Sequence, residues 1–468
     1  MTDVLGSARR PDPGLTLAVA SAGTLLVLAT FTVPLVTLPG TAGDLGAGPG
    51  GQAWILSGMS VGAAAGLLGS GVIGDDYGRR RMFLAGMLML AGSSVLGALA
   101  PTVVLLVIAR LLQGLGAAAI VSCALGMVGH AFPTAAERSR ATGVWAAALG
   151  AGVAAGPVLS AWLGMLGGWR LPYLVTALGA AVLAVVGRAL PESRAAEPRR
   201  IDVAGTVLLG LGIASMLAGL TEGRVGWVRP ATIVLLIAGV VLLTGFFAVQ
   251  CRIQDPMLAL GLFRRGDFVE ATAAALATGS GVLSLISLVP TLLERAMGAS
   301  ALASAVVLLA WSGMTVLTAY AARWVPARVP PRALLIAGLT GCAAGQLALG
   351  WIDPGSSMGR LLPGLFVAGV AGGVLNAVLG RQAVASVPAD RSAMGSGANN
   401  TARYLGAAVG VTIVTEILTP AGPAGGAAAL MNRWNVAVLV TTAFSLLGAL
   451  AVYLARDAAG PGQGGCRG

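Results

Sequence analysis

The sequence predicts an all-α polytopic membrane protein, and three observations carry that expectation. Hydrophobic residues make up 56% of the 468 and charged residues only 10%, where a water-soluble domain carries about 25% charge. Apolar stretches long enough to cross about 30 Å of hydrocarbon, at about 1.5 Å per residue, recur along the whole length. All 29 basic residues are arginine, and they crowd onto alternate connections between those stretches. So little charge excludes a water-soluble enzyme, a secreted disulfide scaffold and a disordered chain.

Taken in order, the spans are 15–38, 53–73, 82–99, 103–121, 141–163, 171–186, 203–220, 231–249, 271–288, 302–321, 333–349, 361–379, 398–417 and 436–454, fourteen in all. The first is longer than a signal-peptide core and lacks a small-residue cleavage pattern, so a retained helix is expected. With connections numbered alternately, twenty-one arginines fall on one side and six on the other, leaving Arg110 and Arg403 inside spans. By the positive-inside rule both termini are cytoplasmic, and the protein is a multi-pass resident of the inner or plasma membrane. The same asymmetry accounts for the net charge of +11 without a nucleic-acid partner. Cys123, Cys251, Cys342 and Cys466 are scattered and read as free thiols.

A faint internal repeat organises the spans. Phe132-Pro133, Glu137-Arg138 and a helix with Gly150 and Gly152 are echoed by Val387-Pro388, Asp390-Arg391 and a helix with Gly406 and Gly410. Two related six-helix halves with a substrate site at their interface are a known transporter plan. The expected organisation is a tail over 1–14, a first half over 15–190, a linker with an inserted helix pair over 191–252, a second half over 253–455 and a tail over 456–468.

Several residues stand out along this plan. Between spans 2 and 3 lies Gly71-Val-Ile-Gly-Asp75-Asp76-Tyr-Gly78-Arg79-Arg80-Arg81; glycines at a turn and a carboxylate facing guanidinium groups can latch neighbouring helices, or the arginines only set topology. In span 4, Arg110, Gln113 and Gly114 share one helix face, and a guanidinium at that depth must face protein or water, which points to function. Span 5 sets Ala148, Gly152, Gly156, Ser160 and Gly164 at intervals of four, a smooth stripe for close backbone approach, with Pro157 able to kink it. Glu222 ends span 7. Glu416 lies inside span 13 and, if buried there, is suited to carry a proton; otherwise it is a hydrated residue near the outer surface. Asn376, Asn399, Asn400 and Arg403 line the substrate path or only bond across helices, and Trp54 stacks on a substrate or sits as an interfacial anchor. His130, the only histidine, ends a cytoplasmic helix, and no metal-ligand cluster, hydrolase triad or cofactor motif is present.

These motifs resemble the major facilitator superfamily. The segment Gly71, Asp75, Gly78, Arg79 and Arg80 matches its cytoplasmic loop signature, with Asp76 where an arginine is common; the resemblance implies that Asp75 and Arg79 stabilise one state of an alternating-access cycle. Arg110-Leu-Leu-Gln113-Gly114 is similar to the fourth-helix motif whose arginine is implicated in proton coupling. Gly143, Gly152, Gly156 and Pro157 are similar to the fifth-helix antiporter motif of exporters. Fourteen spans, Trp54, Trp169-Arg170, Pro191-Glu192, Ile201-Asp202 and Leu220-Thr-Glu222-Gly223 look like the fourteen-helix drug:proton antiporter subfamily. The implied fold is the major facilitator fold of two six-helix halves plus two inserted helices. The implied activity is proton-coupled efflux of lipophilic small molecules, with substrate, protons and the bilayer as partners, no cofactor, and a monomer as the working unit. One departure is Thr30, which occupies the first-helix position where this subfamily usually has aspartate. An importer, a dedicated exporter of the cell's own metabolite, and a non-transporting membrane scaffold or sensor are the rival readings.

Overall fold

A computed structural model describes residues 12–195, 202–223, 226–253, 260–326, 328–353, 355–418 and 427–455. The expected tail over 456–468, nearly all of the tail over 1–14, part of the 191–200 linker, Ile201 and Cys466 lie outside the described residues. The helices are α1 (Pro13–Leu45), α2 (Pro49–Tyr77), α3 (Arg79–Ala98), α4 (Val103–Ala131), α5 (Ala135–Gly167), α6 (Leu171–Gly187), α7 (Val203–Gly223), α8 (Pro230–Gln250), α9 (Gly266–Ala277), α10 (Ser284–Met297), α11 (Ala301–Ala321), α12 (Pro331–Leu347), α13 (Leu362–Ala385), α14 (Ser392–Leu418) and α15 (Ala427–Leu454). A π-helical turn, Thr278–Leu283, joins α9 to α10, so these form one span. Among the described residues twelve such spans are long and apolar enough to cross a membrane; α6 and α12 have 17 residues each.

Local chemistry sets the helix ends. Asp12, Thr102, Thr134 and Ser300 accept backbone N–H groups as N-caps, satisfying donors that the first turn leaves free. Proline opens α1, α2, α8 and α12, where its missing N–H costs nothing. Within the spans, hydroxyls turn back onto their own helix, as Thr24 Oγ1 does to Ala20 O at 3.0 Å and Thr41 Oγ1 to Thr37 O at 2.9 Å. A polar side chain is thereby satisfied without a partner helix.

Because lipid is as apolar as leucine, close packing of small residues joins the helices. A Cβ on Gly62 would stand 2.0 Å from Leu111 O, and one on Gly373 only 2.4 Å from Thr315 O, so α2 meets α4 and α13 meets α11 nearly backbone to backbone. Buried apolar residues gather in one large cluster that includes Val27, Phe83, Met87, Ile120 and Trp145, and in a second that includes Leu285, Leu293, Leu339, Leu365 and Trp434. A third spans the seam, with Val61 of α2, Ile213 of α7 and Met394 and Ala398 of α14. The α7–α8 pair leans on α2 and α14, while Val234, Ile237 and Val241 of α8 face outward with more than half their surface exposed.

Candidate functional site

The glycine and arginine loop between α2 and α3 is bonded to the start of α14. Asp75 is fully buried. Its Oδ1 accepts from Arg79 Nε at 2.7 Å and from the Ala393 amide at 3.0 Å, and its Oδ2 accepts from the Met394 amide at 2.7 Å. Those two amides open α14, so a carboxylate of α2 caps a helix more than three hundred residues away, where the helix dipole favours negative charge. Arg79, equally buried, reaches on to Asp390 O at 2.8 Å. Asp76 pairs with Arg391 at 2.5 Å, both side chains being under a tenth exposed. The aspartate that departs from the family pattern thus has its own guanidinium on the opposite element. Sequence reasoning placed Asp390-Arg391 in the internal repeat and did not single out Arg391 as a partner for Asp76.

Two glycines make this geometry possible. A Cβ on Gly71 would stand 2.4 Å from Ala393 O, so α2 and α14 approach as closely as backbones can. Gly78 has φ +123°, and a Cβ there would lie 2.7–2.9 Å from the Glu192 carboxyl group, which itself accepts the Arg80 amide at 3.0 Å. Arg80 also donates to Leu190 O at 2.8 Å, tying the start of α3 to the strand of chain after α6.

Arg110 is fully buried at the level where α1, α2 and α4 meet. It donates to Thr30 O at 3.0 Å, Phe31 O at 3.3 Å, Ile55 O at 3.3 Å and Gln113 Oε1 at 3.1 Å, and Gln113 passes the network to Ser94 Oγ at 2.9 Å. The guanidinium is solvated by carbonyl dipoles. Thr30, at the position of the missing aspartate, hydrogen-bonds Leu26 O at 2.7 Å and Thr176 Oγ1 at 3.3 Å.

The glycines of α5 divide between two neighbours. Cβ atoms on Gly152 and Gly156 would stand 2.4 Å from Leu25 O and 2.0 Å from Thr32 Oγ1, against α1, whereas Gly143 faces Ala319 O of α11 at 3.2 Å. The stripe serves both the packing of α5 on α1 and its approach to α11; Pro157 lies inside the helix next to it.

The amide and arginine group is partly brought together. Arg403 donates to Asn400 Oδ1 at 2.6 Å and to Asn376 Oδ1 at 3.5 Å, joining α14 to α13. Asn399 points elsewhere and donates to Ala271 O of α9 at 3.0 Å, a cross-helix bond. Trp54 and Glu222, singled out for separate roles, meet: the indole N–H donates to Glu222 Oε1 at 2.5 Å, and Arg229 pairs with the same carboxylate at 3.3 Å. For Glu416 the structure separates the two readings. It is exposed, two residues before the last described residue of α14, which fits the second of its two readings, a residue near the surface, and not a buried carboxylate.

A profile of the Major Facilitator Superfamily matches residues 20–411, the stretch that contains every one of these groups except Glu416. The chain belongs to the Major Facilitator Superfamily. Members of this superfamily are transporters. Among its relatives, the multidrug resistance protein Stp of Mycobacterium tuberculosis is 29% identical over 406 residues, covering 86% of this chain and 75% of its own. The puromycin resistance protein pur8 of Streptomyces alboniger is 30% identical over 470 residues, covering 96% of this chain and 92% of its own. The crystal structure of the human organic anion transporter MFSD10 (TETRAN) superposes with a TM-score of 0.69 at 19% identity, over 95% of this chain and all of that one, a likeness of fold. The loop between α2 and α3 that holds α14 thus joins segments more than three hundred residues apart.

Proposed function

We propose that this protein is an efflux transporter of lipophilic small molecules, working by alternating access and driven by proton exchange across the plasma membrane. The observation that carries the reading is similarity along nearly the whole chain to multidrug and antibiotic resistance proteins. The latch supports the alternating step: bonds from Asp75 and Asp76 of α2 to the start of α14 form only when these cytoplasmic ends are together, so they favour one of two states. In this reading 15–190 and 253–455 are the moving halves, 203–249 is an inserted pair, both termini are cytoplasmic, and α6 and α12 complete fourteen crossings. At about 25 Å each the two short helices cross with the help of their flanking residues.

Arg110, held in one geometry with Gln113, is the group we assign to the proton step, and Glu222 at the outer end of α7 is the carboxylate assigned to carry charge. The exposed Glu416 is given no part. Resting on α1 and α11 alike, the α5 glycines supply a smooth surface for the halves to shift. The test is efflux from energised cells preloaded with a fluorescent lipophilic dye, with and without a protonophore. Protonophore-sensitive loss of dye from expressing cells is expected; equal dye retention in expressing and control cells, with the protein verified in the membrane, overturns the reading.

A further inference from the structure

Near mid-depth the seam between α1 and α14 carries positive charge. Arg403 lies eleven residues into α14, about 16 Å from its start at 1.5 Å per residue. Across the seam, the Phe31 and Tyr404 rings sit 6.0 Å apart, and Phe31 O is gripped by Arg110. Among the described residues neither guanidinium has a carboxylate within ion-pair distance. They differ in how they are satisfied. Arg110 spends its donors on three carbonyls and an amide; Arg403, which keeps partial exposure, gives two hydrogen bonds to amide oxygens out of five N–H donors.

A second buried polar group lies one turn along α13 from Asn376. Trp311 is 7% exposed, and among the described residues its indole N–H has no hydrogen-bond partner. Its Nε1 lies 3.9 Å from the position of a Cβ on Gly372, one turn outward of Asn376 on the same face of α13. One turn inward on that face, Gly380 faces the Trp145 ring at 3.2 Å. Asn376, which Arg403 reaches at 3.5 Å, thus lies on α13 between positions that face two indoles, one from α5 and one from α11. An unpaired buried donor and an uncompensated cation are both costly in a low dielectric, and one ligand group relieves both: an anionic oxygen flanked by aromatic surface.

We infer that Arg403, with Asn376, Asn400 and the Trp311 N–H, is an anion-accepting subsite, and that the preferred substrates are lipophilic organic acids that present a carboxylate or phenolate to it. This deepens the efflux reading and rests on it.

The test measures binding and flux separately. Purified protein in phosphatidylcholine nanodiscs is titrated with a lipophilic carboxylate dye and with its methyl ester. The wild type is expected to bind the carboxylate at least about tenfold more tightly than the ester, as charge-assisted hydrogen bonds allow. Arg403→Ala is expected to collapse that ratio while leaving ester affinity within about twofold, Arg403→Lys to restore part of it, and Trp311→Phe to lower it by a smaller factor. An unchanged ratio in Arg403→Ala, equal loss of both ligands, or a wild-type preference for the ester overturns the subsite. So does a preference abolished by adding phosphatidylglycerol, which would make a lipid headgroup the occupant. Carboxylate preference without flux of either dye in proteoliposomes keeps the subsite and removes the efflux reading; flux without preference does the reverse.

Discussion

Asp75→Asn isolates the latch. The substitution keeps shape and removes charge from a carboxylate that holds Arg79 Nε at 2.7 Å and the Ala393 and Met394 amides at 3.0 and 2.7 Å. Hydrogen bonds to a charged group contribute about 1.5–3 kcal/mol each. An asparagine has one acceptor oxygen for three donors, and its amide nitrogen opposes one of them. The bonds to α14 accordingly weaken by about 2–3 kcal/mol in total, which changes the ratio of cytoplasm-closed to cytoplasm-open protein by roughly 30- to 160-fold at 1.36 kcal/mol per decade. A closed-to-open ratio of about 100 would fall to about 3 or below. Nitroxides on Arg81→Cys, at the start of α3, and on Arg328→Cys, exposed between α11 and α12, in a background without the native cysteines, report this by electron–electron double resonance. Asp75→Asn is expected to build a longer-distance population that the parent lacks. An unchanged distance distribution in a monodisperse, folded variant would refute the latch.

Four further outcomes follow from the same geometry. Arg391→Asp leaves Asp76 facing a second carboxylate in a nearly dry site and is expected to destabilise by about 3–5 kcal/mol; combining it with Asp76→Arg should recover most of the melting temperature, and no recovery would mean the pair does not act as a unit. Gly156→Leu drives a side chain into Thr32 Oγ1 and Ala29 O, and overpacking of about 1–3 kcal/mol or more should appear as a lower melting temperature together with lost efflux. Arg110→Ala strands the carbonyls of Thr30, Phe31 and Ile55 and should abolish proton-driven efflux in protein that still reaches the membrane; unchanged transport sinks its role. Glu222→Gln should remove the protonophore-sensitive component of efflux while Glu416→Gln stays within about twofold of wild type, the difference reflecting an engaged carboxylate against an exposed one.

The latch shows how far the sequence reads. Asp75, Gly78 and Arg79 were legible as a unit because the motif is contiguous, whereas Arg391 as the partner of Asp76 was not, because the two are more than three hundred residues apart. The backbone amides of Ala393 and Met394 were not legible, since an N–H donor leaves no mark on residue type and its availability depends on where α14 begins. Thr30 could be aligned as a missing aspartate, but that its carbonyl would receive Arg110 follows only from how α1 packs on α4. Which of the two readings of Glu416 holds depended on the same kind of information: apolar neighbours in sequence leave open which face of α14 a residue lies on, and this one is exposed. The π turn over Thr278–Leu283, where Gly279 and Gly281 meet α14 and α15, was likewise read as plain helix.

By itself the sequence determined that the chain lives in a bilayer, which stretches are helical, and which loops carry the arginines, because these depend on local hydropathy, length and charge. Tertiary structure decided which face of each helix meets protein and which meets lipid, and so which polar groups find one another: Asp75 with α14, Asp76 with Arg391, Trp54 with Glu222, Arg403 with Asn376 and Asn400. Lipid and protein interior are equally apolar, so hydropathy cannot tell the two faces apart, and partner choice is settled by backbone approach at small residues and by polar groups that must be satisfied away from water.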